Sequence, residues 1–105
     1  MKEFWKGIED KLTERALGGY LANEIIYEEY GREEFCKFIL WWALHRRMSN
    51  YLYRAAIYNH NSDEPKEVFR KAVFVVEIDM FCIYRASKRK DTYVDTLKKL
   101  GIYEE

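Results

Sequence analysis

A chain of 105 residues has room for one domain around one core and is too short for a catalytic domain plus a second module. An apolar fraction of 49%, with only one proline and five glycines, excludes the composition of a disordered segment. Eighteen basic and eighteen acidic side chains cancel, so no overall field draws the molecule to nucleic acid or to an anionic membrane; any steering must come from local patches.

Such patches exist. From Tyr20 to Glu34, five glutamates against Arg32 alone leave a balance of −4, whereas from Cys82 to Lys99, six bases against Asp91 and Asp95 leave +4. Cys36 and Cys82 are isolated, without a CxxC or any zinc-ligand spacing, and each stands among apolar residues where a thiol packs as a small hydrophobe. That usage predicts a reducing, cytoplasmic setting. Lys2, Glu3 and Lys6 interrupt any apolar leader, and the uncharged run Phe38–Leu44 is far too short to span a bilayer, so no membrane partner is expected. Abundant Glu, Lys and Arg with few Gln is the usage expected of a thermophile.

In chain order, Phe4, Trp5, Ile8, Leu12 and Ala16 form one apolar stripe of a helix over Lys2–Leu17, stopped by Gly18 and Gly19. An acidic helix over Tyr20–Tyr30 turns Leu21, Ile25 and Ile26 inward and closes at Gly31. Arg32 to about Tyr58 reads as one long helix, apolar nearly all round between Phe35 and Leu44 as a central helix requires. Asn59–Asp63 is a loop. Ser62 or Asp63 then caps a fourth helix, with Glu64, Pro65 and Glu67 in its first turn, that runs to about Lys90. The β-branched and aromatic run Phe74–Tyr84 has strand propensity, but the capping chemistry before it and its length favour helix. Asp91 or Thr92 caps a short last helix carrying Tyr93, Val94, Leu97 and Leu100, ended by Gly101. The prediction is an all-α, single-domain bundle of four to five helices spanning the chain.

At about 100° per residue, Arg32, Arg46, Arg47, Asn50 and Arg54 fall within one arc of the long helix, with Tyr53 and Tyr58 at its margins. Guanidinium forks pair bidentately with phosphate oxygens and stack on bases, so arginines interleaved with tyrosines suit the backbone of RNA or single-stranded DNA. The plain alternative is a solvated face whose arginines pair with the acidic helix. A second cluster, Arg85, Lys88, Arg89 and Lys90, ends the fourth helix, where complementing the dipole is reason enough for cations. On that helix Phe74, Ile78 and Phe81 share a side with Arg70, Lys71, Arg85 and Lys88, which marks either a second core layer or a docking patch for other protein subunits. Asp79, among Val68, Ala72, Val75 and Ala86, needs a partner, and an arginine or His45 is expected to supply it.

The familiar enzyme signatures are missing. Trp42 and Ile57 stand three residues before His45 and His60, so no Glu-x-x-His pair supports a di-iron site, and neither metal nor cofactor is expected. There is no glycine-rich phosphate loop, nucleophile elbow or HExxH. Arg54 and His60 do carry a spacing that resembles the catalytic motif of the HEPN ribonucleases, which are small helical bundles. That resemblance implies Arg54 on the scissile phosphate and His60 moving protons at the attacking 2′-hydroxyl.

The chain as a whole resembles the small all-helical subunits of CRISPR effector complexes, through Arg46, Arg47, Arg54, Arg85, Lys88 and Arg89 on long helices together with an unspent apolar patch. The resemblance implies a non-catalytic subunit that docks on protein partners, copies of itself among them, and lines nucleic acid along a basic helical surface. The HEPN-like ribonuclease, and a protein-binding regulator without nucleic-acid contact, are the alternatives.

Overall fold

Gly31 decides the course of the first helix. In the computed structural model, which describes residues 20–59 and 65–103, α1 (Leu21–Leu44) is interrupted at Gly31, whose φ of 86° and ψ of 169° leave the helical region. A straight helix would hold Tyr20 and Trp42 roughly 33 Å apart. Both instead line one cleft, so the limbs 21–30 and 32–44 fold back on each other. A Cβ at position 31 would meet nothing within 4 Å, so the positive φ, not crowding, is what calls for glycine. The helix expected over Lys2–Leu17 and the loop and cap expected at residues 60–64 lie outside the described residues.

The long helix expected from Arg32 to Tyr58 is two helices. α1 stops at Leu44, and His45 (φ −119°, ψ 34°) turns the chain by satisfying its last carbonyls. The His45 amide donates to the Trp42 carbonyl at 2.8 Å, its Nδ1 to the Trp41 carbonyl at 2.7 Å, and its ring stacks on Trp41 at 4.2 Å. The His45 carbonyl then accepts from Met48 and Ser49 and opens α2 (Arg46–Asn59). No glycine or proline marks this break; an aromatic contact makes it.

α3 (Pro65–Ser87) is helical throughout, so the β-branched run 74–84 forms no strand. Val73, Val76, Glu77, Met80, Phe81 and Tyr84 recur at three and four residues and are all buried, and that spacing outweighs the local propensity. α3 packs against α1, α2 and α4 (Tyr93–Lys99). Its end is a Schellman turn: the Lys90 amide donates to the Arg85 carbonyl at 3.1 Å and the Arg89 amide to the Ala86 carbonyl at 3.0 Å. Arg89 takes the left-handed position, with φ 55°. α4 opens on a capping box between Thr92 and Asp95 and closes at Gly101, φ 75°.

Aromatic rings fill the core. Phe38 meets Phe81 edge to face at 5.0 Å, and Phe35, Tyr84, Ile26 and Met80 complete a fully buried cluster to which each large side chain contributes about 1.5–3 kcal/mol. The two thiols, Cys36 and Cys82, are buried, and burial pushes the Cys82 thiol up to about 12. The fold is all-α, with four helices and no strand among the described residues, none of them long and apolar enough to cross a membrane.

Candidate nucleic-acid interface

α2 carries three arginines and no acid. Arg46, Arg47, Asn50, Tyr51, Arg54 and Tyr58 fall within about 140° of its circumference at 100° per residue, and every one of them is exposed. The opposite face buries Ser49 and half-buries Leu52, Tyr53 and Ala56 against the core. Among the described residues no carboxylate pairs with Arg46, Arg47 or Arg54. Arg32, expected in this arc, belongs to α1 and stands across the His45 break, so it leaves the ridge. Tyr53 turns inward, its ring 6.5 Å from that of Trp42. Tyr51, at 72% exposure, takes its place beside Tyr58 at 87%.

The second basic cluster is mostly structural. The Arg85 side chain is 12% exposed; Nη1 donates to Glu34 at 2.9 Å, while Nε and Nη2 donate to Asp91 at 2.9 and 2.6 Å. Lys90 donates to both oxygens of Glu34 at 2.9 Å. Burial alone raises the Glu34 carboxyl, yet hydrogen bonds from Lys90, Tyr84 and Arg85 outweigh it and hold Glu34 below its ordinary range. A phosphate reaching Arg85 would have to displace two carboxylates, which withdraws Arg85 from any nucleic-acid surface. Lys88 and Arg89, in the turn after α3, stay exposed.

Of the expected docking residues, Phe81 is 0% and Ile78 4% exposed, and Phe74 is half-buried against the same core. They form the second core layer and not an open patch. Asp79 accepts from the Tyr93 hydroxyl, in place of the arginine or His45 expected to meet it. Arg54 is exposed, and His60 lies outside the described residues. No cluster of three metal-ligating side chains occurs among the described residues.

Glu77 was not singled out by the sequence, although Val73, Met80 and Tyr84 at −4, +3 and +7 place it on the inward stripe of α3. It is 4% exposed, its Oε2 has no hydrogen-bond partner, and burial pushes its carboxyl up to about 8. Two clefts meet at this residue. One of about 570 Å³ lies between α1, α2 and α3, with Trp42, Tyr53, Phe69 and Tyr20 as aromatic walls and Arg46 among its lining. The other, of about 730 Å³, shares Tyr20, Phe69, Val73 and Glu77 and adds Arg70 and Lys71. Burial first, then the nearby Glu77 and Tyr20, raise the Tyr53 hydroxyl, which places these three polar groups together.

The fold is a helical bundle that presents an exposed arginine and tyrosine ridge beside an aromatic cleft. Comparison with protein-family models, with curated proteins and with solved structures returns no match.

Proposed function

We propose that this chain is a non-catalytic helical subunit of a larger nucleoprotein assembly, contacting the backbone of RNA or single-stranded DNA along the exposed ridge of α2. The observation that carries the reading is that Arg46, Arg47 and Arg54 share one exposed face with Tyr51 and Tyr58 and have no carboxylate partner among the described residues. A helix stabilised by its surface charges has acids in its first turn; α2 begins with two arginines and has none. The abutting C-terminal end of α1, where cations are favourable, offsets part of that mismatch. Arg89 adds a second indication, since an arginine in a left-handed cap occupies a place that glycine fills without strain. Exposed Leu40, Leu44 and Met48 at the α1–α2 junction support docking on protein partners.

The resemblance to the small subunits of CRISPR effector complexes points the same way. Three phosphate contacts on a single strand give a salt dependence of about −2 in log K against log salt concentration, weak enough to need partner subunits for tight binding. The test is charge reversal of Arg46, Arg47 and Arg54 together to glutamate. Retention on single-stranded oligonucleotides at low salt is expected to vanish while Tm does not fall, because these side chains are exposed. Undiminished retention would remove the proposal.

A further inference from the structure

The cleft beside the ridge contains a group whose position the fold does not explain. Glu77 is buried on the core stripe of α3, and its Oε2 has neither a donor nor an acceptor. A buried carboxyl without a partner destabilises a fold, and a leucine at this position would pack without that cost. Its surroundings narrow what it could receive. Trp42, Tyr53, Phe69 and Tyr20 give planar walls, and the space of about 570 Å³ is within the range of small-molecule sites. Arg46 lines the same cleft and is also the first arginine of the exposed ridge.

We propose that this cleft takes one unstacked nucleobase from a strand lying on the α2 ridge, stacked on the aromatic walls with its Watson–Crick edge against Glu77. The proposal rests on the nucleic-acid reading of α2 and names what the same surface recognises. Arg46 joins the two sites, since a phosphate held by its guanidinium brings the adjoining base to the mouth of the cleft. Unpaired bases are bound in this way generally, by stacking on aromatic rings and hydrogen bonding along an edge.

Other occupants fit less well. An organic cation would approach a carboxyl that is uncharged at neutral pH and would pass the guanidinium of Arg46. A purely apolar molecule would leave Glu77 as unsatisfied as before. A neutral carboxylic acid instead presents a hydroxyl donor beside a carbonyl acceptor. That pair complements the ring nitrogen and amino group of adenine or cytosine. An ionised carboxylate only accepts, and complements the two donors of guanine. Adenine and cytosine are therefore expected to be preferred below pH 8, with the preference moving towards guanine as Glu77 ionises.

The test uses the full chain and fluorescence anisotropy at low salt, comparing a labelled oligoadenylate with an abasic strand of equal length and charge. Stacking and edge contacts from one base predict binding about tenfold tighter for the base-bearing strand. Glu77→Leu, which keeps the stacking walls and removes the edge contacts, is expected to lower that ratio and to remove its dependence on pH. Glu77→Gln, whose amide also sets a donor beside an acceptor, is expected to keep the ratio and lose its dependence on pH. Equal affinity of the wild-type chain for the two strands would overturn the base site while leaving the ridge in place. Binding of neither strand would overturn the ridge reading, and the base site with it.

Discussion

Glu34 and Glu77 are both withdrawn from water against α3, at contacts about two turns of that helix apart, and the fold treats them in opposite ways. Glu34 is gripped by Arg85 and Lys90 at 2.9 Å and stays ionised. Glu77 has no hydrogen-bond partner at Oε2, and burial pushes its carboxyl up to about 8. The first arrangement ties α1, α3 and the turn before α4 together. The second contributes nothing to folding that a leucine would not.

The two carboxyls also answer pH with opposite sign. The depressed value of Glu34 gives stability that is complete above the ordinary carboxylate range and is lost as pH falls through the lowered folded value. The raised value of Glu77 means that the unfolded chain loses this proton near 4.5 while the folded chain keeps it to about 8. Across that window its contribution falls by up to about 1.4 kcal/mol per pH unit, then levels off.

The largest effect expected is from Arg85→Met, which leaves Glu34 with Lys90 and Tyr84 and takes from Asp91 the guanidinium that pairs with it. Urea unfolding should report a loss of about 3 kcal/mol, because the guanidinium is 12% exposed and little screened. A loss below about 1 kcal/mol would place these charges among ordinary surface pairs. Next, Glu77→Leu should gain about 2 kcal/mol at pH 7.5, an advantage that shrinks and then reverses towards pH 4.5. A gain that stayed constant over that range would show that Glu77 is ionised in the fold and would erase the contrast with Glu34. The smallest effect is expected at the same end of the molecule as Glu34. Arg89→Gly relieves a left-handed non-glycine residue and should raise stability by about 1 kcal/mol. An unchanged unfolding midpoint would argue against a left-handed cap in solution.

How much was legible can be followed residue by residue. The break at Gly31 was plain because glycine is the residue that takes a positive φ without penalty, and Thr92 and Gly101 announced the ends of α4 by their own chemistry. The break at His45 was not, because what makes it is a ring stacked on Trp41 and a bond to its carbonyl, and no backbone preference of histidine foretells either. The exposed arc of Arg46, Arg47, Asn50 and Arg54 followed from periodicity, whereas Arg32, expected in the same arc, lies on α1 across the His45 break. The identity of the costly carboxyl did not follow, because two acids two residues apart lie on different sides of α3. Asp79 lies on a face that carries exposed Val75 and Ala86, and its partner is Tyr93; Glu77, between Tyr84 and Phe81 in projection, faces the core.

The amino-acid order by itself determined that this chain is all-helical and which residues share a helix face, because both depend on a repeat of 3.6 residues and on caps a few residues long. Only the tertiary structure decided which faces are covered. Arg85 and Arg46 are alike in sequence, yet one is closed in by two carboxylates and the other stands in the open. That difference depends on residues as far away as Glu34, which no local pattern records, because burial is a property of how helices meet.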